Sequence, residues 1–240
     1  MEEPALSVEN LVKSYGRLAA VRDISFTVNR GEVVGFLGPN GAGKTTTIRA
    51  CLNLVRPTSG RVRVFDRDVA SDGGSCLARV GALVESPALL PFLSGRDNLE
   101  YFRRARGGVG PAQMPEVLRT VRLDDRGRDR VSTYSLGMRQ RLGLAIALLP
   151  NPDLVILDEP ANGLDPAGIV EMRQLLRGLA VSGKAVLVSS HALHEVEETC
   201  DRVVIVADGR VVREGSLADL TAGGRTLEEL FLELTREAGV

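Results

Sequence analysis

The sequence predicts an α/β fold: a mainly parallel sheet core with an antiparallel β subdomain and an inserted α-helical subdomain. Three observations lead there. Apolar strands such as LVILD (154–158) and AVLVSS (185–190) are each followed by a helical pattern, the alternation that builds a parallel sheet covered by helices. The earliest strands instead alternate in polarity and are separated by tight turns, which suits a mixed, partly antiparallel sheet. Residues 86–150 hold amphipathic helical patterns and no convincing strand.

In chain order, LSVENLVKSY (6–15), ISFTVNRGEVVGFLG (24–38) and GRVRVFD (60–66) read as strands, with Asn29-Arg30-Gly31 and Pro57-Thr58-Ser59-Gly60 as turns. A helix is expected over about 44–55, and VGALV (80–84) is the next strand. Within the insertion, helical patterns cover 95–106, 112–122 and 136–149, whereas RLDDRGRDR (122–130) mixes both charges and reads as a solvated loop. After the two apolar strands, RVVIVADGRVVREG (202–215) turns back on Asp208-Gly209. A helix over 225–238 places Leu227, Leu230, Phe231 and Leu234 on one face. The expected organisation is a single domain, 1–240. Residues 1–85 and 151–215 form its core and β subdomain, 86–150 its helical part, and 216–240 a C-terminal helical extension.

Composition narrows the function. At 240 residues and 44% hydrophobic content the chain can bury a sizeable core. Thirty basic residues against 31 acidic ones leave a net charge of −1, so no overall basic field points to nucleic acid, and no nucleic-acid partner is expected. Cys51, Cys76 and Cys200 are far apart with no CxxC, which fits reduced thiols rather than a disulfide or zinc framework. The stretch MEEPALSVEN is acidic and lacks the apolar centre of a secretory signal. The apolar runs around 142–149 and 153–157 are split by Pro150 to Asp153, and neither approaches the ~20 residues that span a bilayer. Any membrane role is expected to come through a partner.

The residues with chemical meaning begin at GPNGAGKTT, comprising Gly38, Pro39, Asn40, Gly41, Ala42, Gly43, Lys44, Thr45 and Thr46. It fits GxxxxGK[ST] between a strand and a helix, the context that a phosphate-binding loop requires. The glycines let backbone N–H groups curl around a phosphate chain, Lys44 bridges the terminal phosphates, and Thr45 offers a hydroxyl to Mg²⁺. LVILDEP ends an apolar strand in two carboxylates, from which Asp158 can reach the Mg²⁺ shell and Glu159 can orient a water for in-line attack. His191, just past the next strand, is placed to donate to a terminal phosphate at the carboxyl edge of the sheet, where ligands of open α/β sheets collect.

Taken in order, GPNGAGKTT, YSLGMRQR, LVILDEP, ANGLDP and SSH resemble the ATP-binding cassette of ABC transporters over nearly the whole chain. The resemblance implies a P-loop NTPase (RecA-like) core, and ATP and Mg²⁺ as ligands. It places YSLGM where that family carries LSGGQ, with Ser135 and Gly137 retained and Tyr134, Leu136 and Met138 as departures. Cassettes of the family pack head to tail, so Ser135 and the Gly137 N–H are expected to complete a site on a second cassette, an identical copy in the simplest case. On the same resemblance Leu164 and Asp165 lie at the dimer seam and Tyr15 stacks on adenine. Glu85 occupies a position that is glutamine in most cassettes. It is expected to act beside metal and attacking water, and its carboxylate is tolerable near a triphosphate only if Mg²⁺ is close or the side chain turns away.

The ESP loop at 85–87, YSLGM and the C-terminal helix together resemble the exporters behind bacitracin resistance, lantibiotic self-protection and, more loosely, daunorubicin resistance. That implies an energising subunit at the cytoplasmic face of the plasma membrane, held by a separate transmembrane permease whose cytoplasmic helix enters a groove along 85–98. The competing class is a soluble cassette ATPase acting on nucleic acid, ribosomes or cofactor assembly. The long coiled-coil arms or paired cassettes that mark such proteins are missing from this sequence.

Overall fold

The computed structural model describes residues 3–237. Strands β1 (Leu6–Tyr15) and β2 (Leu18–Val28) form a hairpin, and β3 (Val33–Leu37) runs through the glycine loop into α1 (Lys44–Cys51). Then come β4 (Ser59–Val64), the two-residue β5 (Arg67–Asp68), α2 (Val69–Cys76) and β6 (Val80–Leu83). Three helices, α3 (Gly95–Arg106), α4 (Gln113–Thr120) and α5 (Leu136–Leu148), precede β7 (Leu154–Asp158), α6 (Pro166–Val181), β8 (Ala185–Ser190) and α7 (Leu193–Thr199). The hairpin of β9 (Arg202–Ala207) and β10 (Arg210–Ser216) leads to α8 (Leu217–Leu220) and α9 (Leu227–Glu237).

The strands join in the order β5-β4-β1-β2-β10-β9-β3-β8-β7-β6. From β9 to β6 every pairing is parallel; β1 pairs antiparallel with both β2 and β4, as β4 does with β5. The two regions meet where β10 pairs with β2 through a single register partner, Arg210 with Asp23. Two amides of β2, Arg22 and Asp23, donate to the Gly209 carbonyl at 2.8 and 3.2 Å, and an exposed Arg22–Asp208 ion pair spans the joint at 2.8 Å.

The parallel strands are buried on both faces, and residue parity sorts their side chains into two cores. Val33 and Leu37, Val155 and Leu157, and Val186 and Val188 face the helices. Their neighbours Val34 and Phe36, Leu154 and Ile156, and Ala185 and Leu187 face α1 and the antiparallel strands. Full burial of each such valine, leucine, isoleucine or phenylalanine side chain contributes ~1.5–3 kcal/mol. The first core continues without a break into the insertion, where Leu142, Leu144 and Leu148 of α5 meet Leu99, Val117 and Leu118.

Several boundaries differ from expectation, for local reasons. The helix expected to reach residue 55 ends at Cys51, because Asn53 adopts a left-handed φ of 56° and turns the Leu54 and Val55 amides back to the Arg49 carbonyl. Helix α2 was not expected from VASDGGSC: two glycines and no apolar period hide it, yet Asp68 caps it by accepting from the Ala70 and Ser71 amides. Strand β2 starts at Leu18, well before the expected Ile24, because it is pinned to β1 rather than by its own alternation. The terminal helix begins at Leu227; Ala238, its expected last residue, lies outside the described residues.

Candidate functional site

The carboxyl ends of β3, β7 and β8 gather the chemistry-bearing residues at one edge of the parallel sheet. After β3 the chain must turn tightly against β9 and then enter α1. Two glycines make this possible: a Cβ at Gly38 would lie 2.4 Å from the Val206 carbonyl oxygen, and one at Gly43 only 2.6 Å from that of Ala20. Gly43 also holds φ at 99°, and no side chain caps α1. By contrast α3, α5 and α6 are capped by Ser94, Ser135 and Asp165. The N-terminus of α1, bare of any side-chain cap, is therefore a place in this edge where backbone N–H groups and the helix dipole can meet an anion.

Lys44 opens α1 with its side chain 7% exposed, and its ammonium donates to the carbonyl oxygens of Gly38 at 2.7 Å and Pro39 at 3.3 Å. One residue on, the Thr45 hydroxyl donates to Asp158 Oδ2 at 2.9 Å, which brings helix and β7 together. Asp158 is buried, and its other oxygen accepts from the Ser189 hydroxyl of β8. Ser189 Oγ in turn accepts from the Glu159 amide at 2.9 Å. Glu159 holds a left-handed φ of 52°, a strain that for a residue with a Cβ costs ~1–2 kcal/mol. Its carboxylate reaches Lys44 at 3.7 Å and His191 Nδ1 at 2.8 Å. His191 is thus seated on Glu159, a partner not anticipated in the sequence. In the first turn of α7, burial foremost pushes the Glu195 carboxyl above the ordinary range.

Two adjoining hollows share Thr45 and Glu159. The larger, of about 500 Å³, runs from the glycine loop past Ala20 and Asp208 to Tyr15, whose ring is half exposed at the rim with Lys13 Nζ 4.8 Å from its centroid. The smaller, of about 380 Å³, is bounded by Asp158, Glu85, Gln140 and Asn162. Glu85 therefore stands beside the Thr45–Asp158 pair, but its carboxylate is held by the Arg49 guanidinium, one turn along α1 from Thr45. That ion pair offsets the negative charge that made a carboxylate here unexpected. Arg49 and Ser189 are the residues that sequence reasoning missed; SSH marked the strand end without giving its serine a task.

Ser135 and Gly137 behave differently. Ser135 Oγ accepts from the Met138 amide at 3.2 Å as the cap of α5, and Gly137 lies near Leu164, so that a Cβ there would sit 3.7 Å from Leu164 Cδ2. Neither residue lines the two hollows. Asp165 is occupied in capping α6 through the Gly168 amide at 2.9 Å. On the expected groove along 85–98, Asn98 is fully buried, its amide bound to the backbone of Leu90 and Ser94, while Phe92 stands exposed. Among the described residues no helix is long and apolar enough to cross a membrane.

The family model described as "ABC transporter" matches residues 21–162. The bacitracin transport ATP-binding protein BcrA of Enterococcus faecalis is 39% identical over 228 residues, 95% of this chain and 74% of that protein. The lantibiotic transport ATP-binding protein SrtF of Streptococcus pyogenes is 36% identical over 226 residues, 94% of this chain and 95% of that protein. A solved structure described as the ATP-binding subunit of an ABC transporter superposes with a TM-score of 0.85 at 33% identity, covering 96% of this chain and 99% of that one.

Proposed function

This chain belongs to the ABC transporter family as its ATP-hydrolysing cassette, and on that premise we propose that two copies close head to tail around two MgATP and drive a separate transmembrane permease. The glycine loop and Lys44 take the phosphates, and Tyr15 takes the adenine at the far end of the larger hollow. The donor set suits Mg²⁺: Thr45 Oγ1 and Asp158 Oδ2 stand 2.9 Å apart, two protein oxygens of the kind this ion combines with phosphate and water. When bound, Mg²⁺ supplies charge neutralisation between the outer phosphates. Glu159 orients the attacking water and accepts its proton, while His191 and the Ser189 bond fix the carboxylate and its backbone. Glu85 flanks the same metal and water positions with its charge balanced by Arg49.

The head-to-tail reading rests on one observation: Ser135 and Gly137 sit at the N-terminus of α5, where Leu136 between them borders the smaller hollow while neither of the two lines either hollow of their own chain. Such a corner can bring N–H donors and a helix dipole to a γ-phosphate held by a second copy. Replacing Glu159 by Gln is expected to leave MgATP bound but unhydrolysed, trapping a dimer in size-exclusion chromatography with light scattering. A variant that stays monomeric with saturating MgATP overturns this arrangement.

The similarity to proteins named for bacitracin and lantibiotic transport supports export of an antimicrobial peptide or drug, with the chain held peripherally at the cytoplasmic face of the plasma membrane. The groove along 85–98 carries the permease-facing surface. A polytopic membrane protein recovered at equal stoichiometry from gently solubilised membranes is the expected result; recovery with ribosomal proteins alone rejects the transport role.

A further inference from the structure

The smaller hollow holds one buried polar group without a partner. Gln140 is 8% exposed and lines the hollow with Thr45, Glu85, Asp158 and Glu159, yet its Oε1 has no hydrogen-bond partner among the described residues. Buried amides are ordinarily paired, and an unpaired one destabilises the folded chain. The charge around it sharpens the point. Three carboxylates border this space, so the side chains able to meet an added anion without repelling it are the hydroxyls of Thr45 and Ser86 and the neutral amides of Gln140 and Asn162, of which only Gln140 is buried. Gln140 and Leu136, four residues apart on one face of α5, both border the hollow, and Leu136 lies between Ser135 and Gly137.

We propose that Gln140 is a binding residue for the terminal phosphoryl group of a nucleoside triphosphate held by the same chain, its amide turning to donate to a phosphate oxygen. The inference rests on the ATP site described above and deepens it. Through one turn of α5, the γ-phosphate in a chain's own loop then sets the posture of the Ser135–Gly137 corner which that chain offers to its partner. A diphosphate does not extend to the hollow and leaves the amide unpaired.

The test is Gln140→Met in the full chain, which keeps length and removes polarity, with Gln140→Glu as a second variant. Calorimetric titration with ADP and with a non-hydrolysable ATP analogue is combined with thermal melting of the nucleotide-free protein. The expected result for Gln140→Met is a raised melting midpoint, unchanged ADP affinity and analogue affinity weakened about tenfold; Gln140→Glu weakens analogue binding further. Unchanged analogue affinity, or equal losses for the two nucleotides, overturns the proposal, as does a lowered midpoint accompanying the loss. If the unsubstituted chain binds neither nucleotide, the ATP site itself fails and this inference falls with it. Normal binding by the parent with an indifferent Gln140→Met variant removes Gln140 alone.

Discussion

Gly38 has no room for a methyl group, since its Cβ would press on a backbone carbonyl 2.4 Å away, whereas at Gly41 nothing lies within 4 Å and only its φ of 83° resists a side chain. Gly41→Ala should therefore cost ~1–2 kcal/mol with ATP binding retained. Gly38→Ala should cost more and displace the loop, so that melting and ATP titration separate the pair. Burial pushes the Cys51 and Cys200 thiols above their ordinary 9.0, to about 12. Because the unfolded thiol ionises first, the stability these groups contribute is complete below pH 9 and drains away as pH climbs towards 12. The melting midpoint of the parent should fall across that window, and the fall should be shallower in Cys51→Ala. The phosphate loop and the Asp158–Glu159 pair were legible as residues because each is contiguous. Arg49 on Glu85 and Ser189 on Asp158 were not, since those partners lie 36 and 31 positions apart and meet only through sheet order.

Helix caps allow structure and function to be separated. Ser94 and Ser135 accept from the third following amide at nearly the same distance, 3.1 and 3.2 Å. Loss of either hydroxyl should cost ~1 kcal/mol of stability. If Ser135 also serves a second copy, Ser135→Ala should depress ATP turnover well below Ser94→Ala at matched stability; equal turnover would assign Ser135 to capping alone. Helices of the insertion were readable from apolar period, and α6 from the helical pattern that follows LVILD. Helix α2 escaped because the Asp68 cap starts it and a kink at Asp72 interrupts it, so no amphipathic spacing marks it.

Across the whole molecule, the core shared by the helix-facing side of the sheet and the insertion ties 86–150 to the strands. Leu142 is fully buried there, so Leu142→Ala should destabilise by ~2–5 kcal/mol. Helical and aromatic signals should lose structure at one shared midpoint, and two separate transitions would show that the insertion unfolds independently. Strand identity was legible in the sequence, but strand order was not. Nothing in the alternation of RVVIVADGRVVREG indicates that β9 lies beside β3 while β10 turns to reach β2. That meeting point is the thinnest seam of the sheet, one register pair and two amides on the Gly209 carbonyl, and Arg22, Asp208 and Gly209 are also wall residues of the larger hollow. A nucleotide seated there acts as a clasp across the seam. Deuterium should enter the Arg22 and Asp23 amides early in the free protein and late once ATP is bound, making their exchange a clock for the first moments of occupancy.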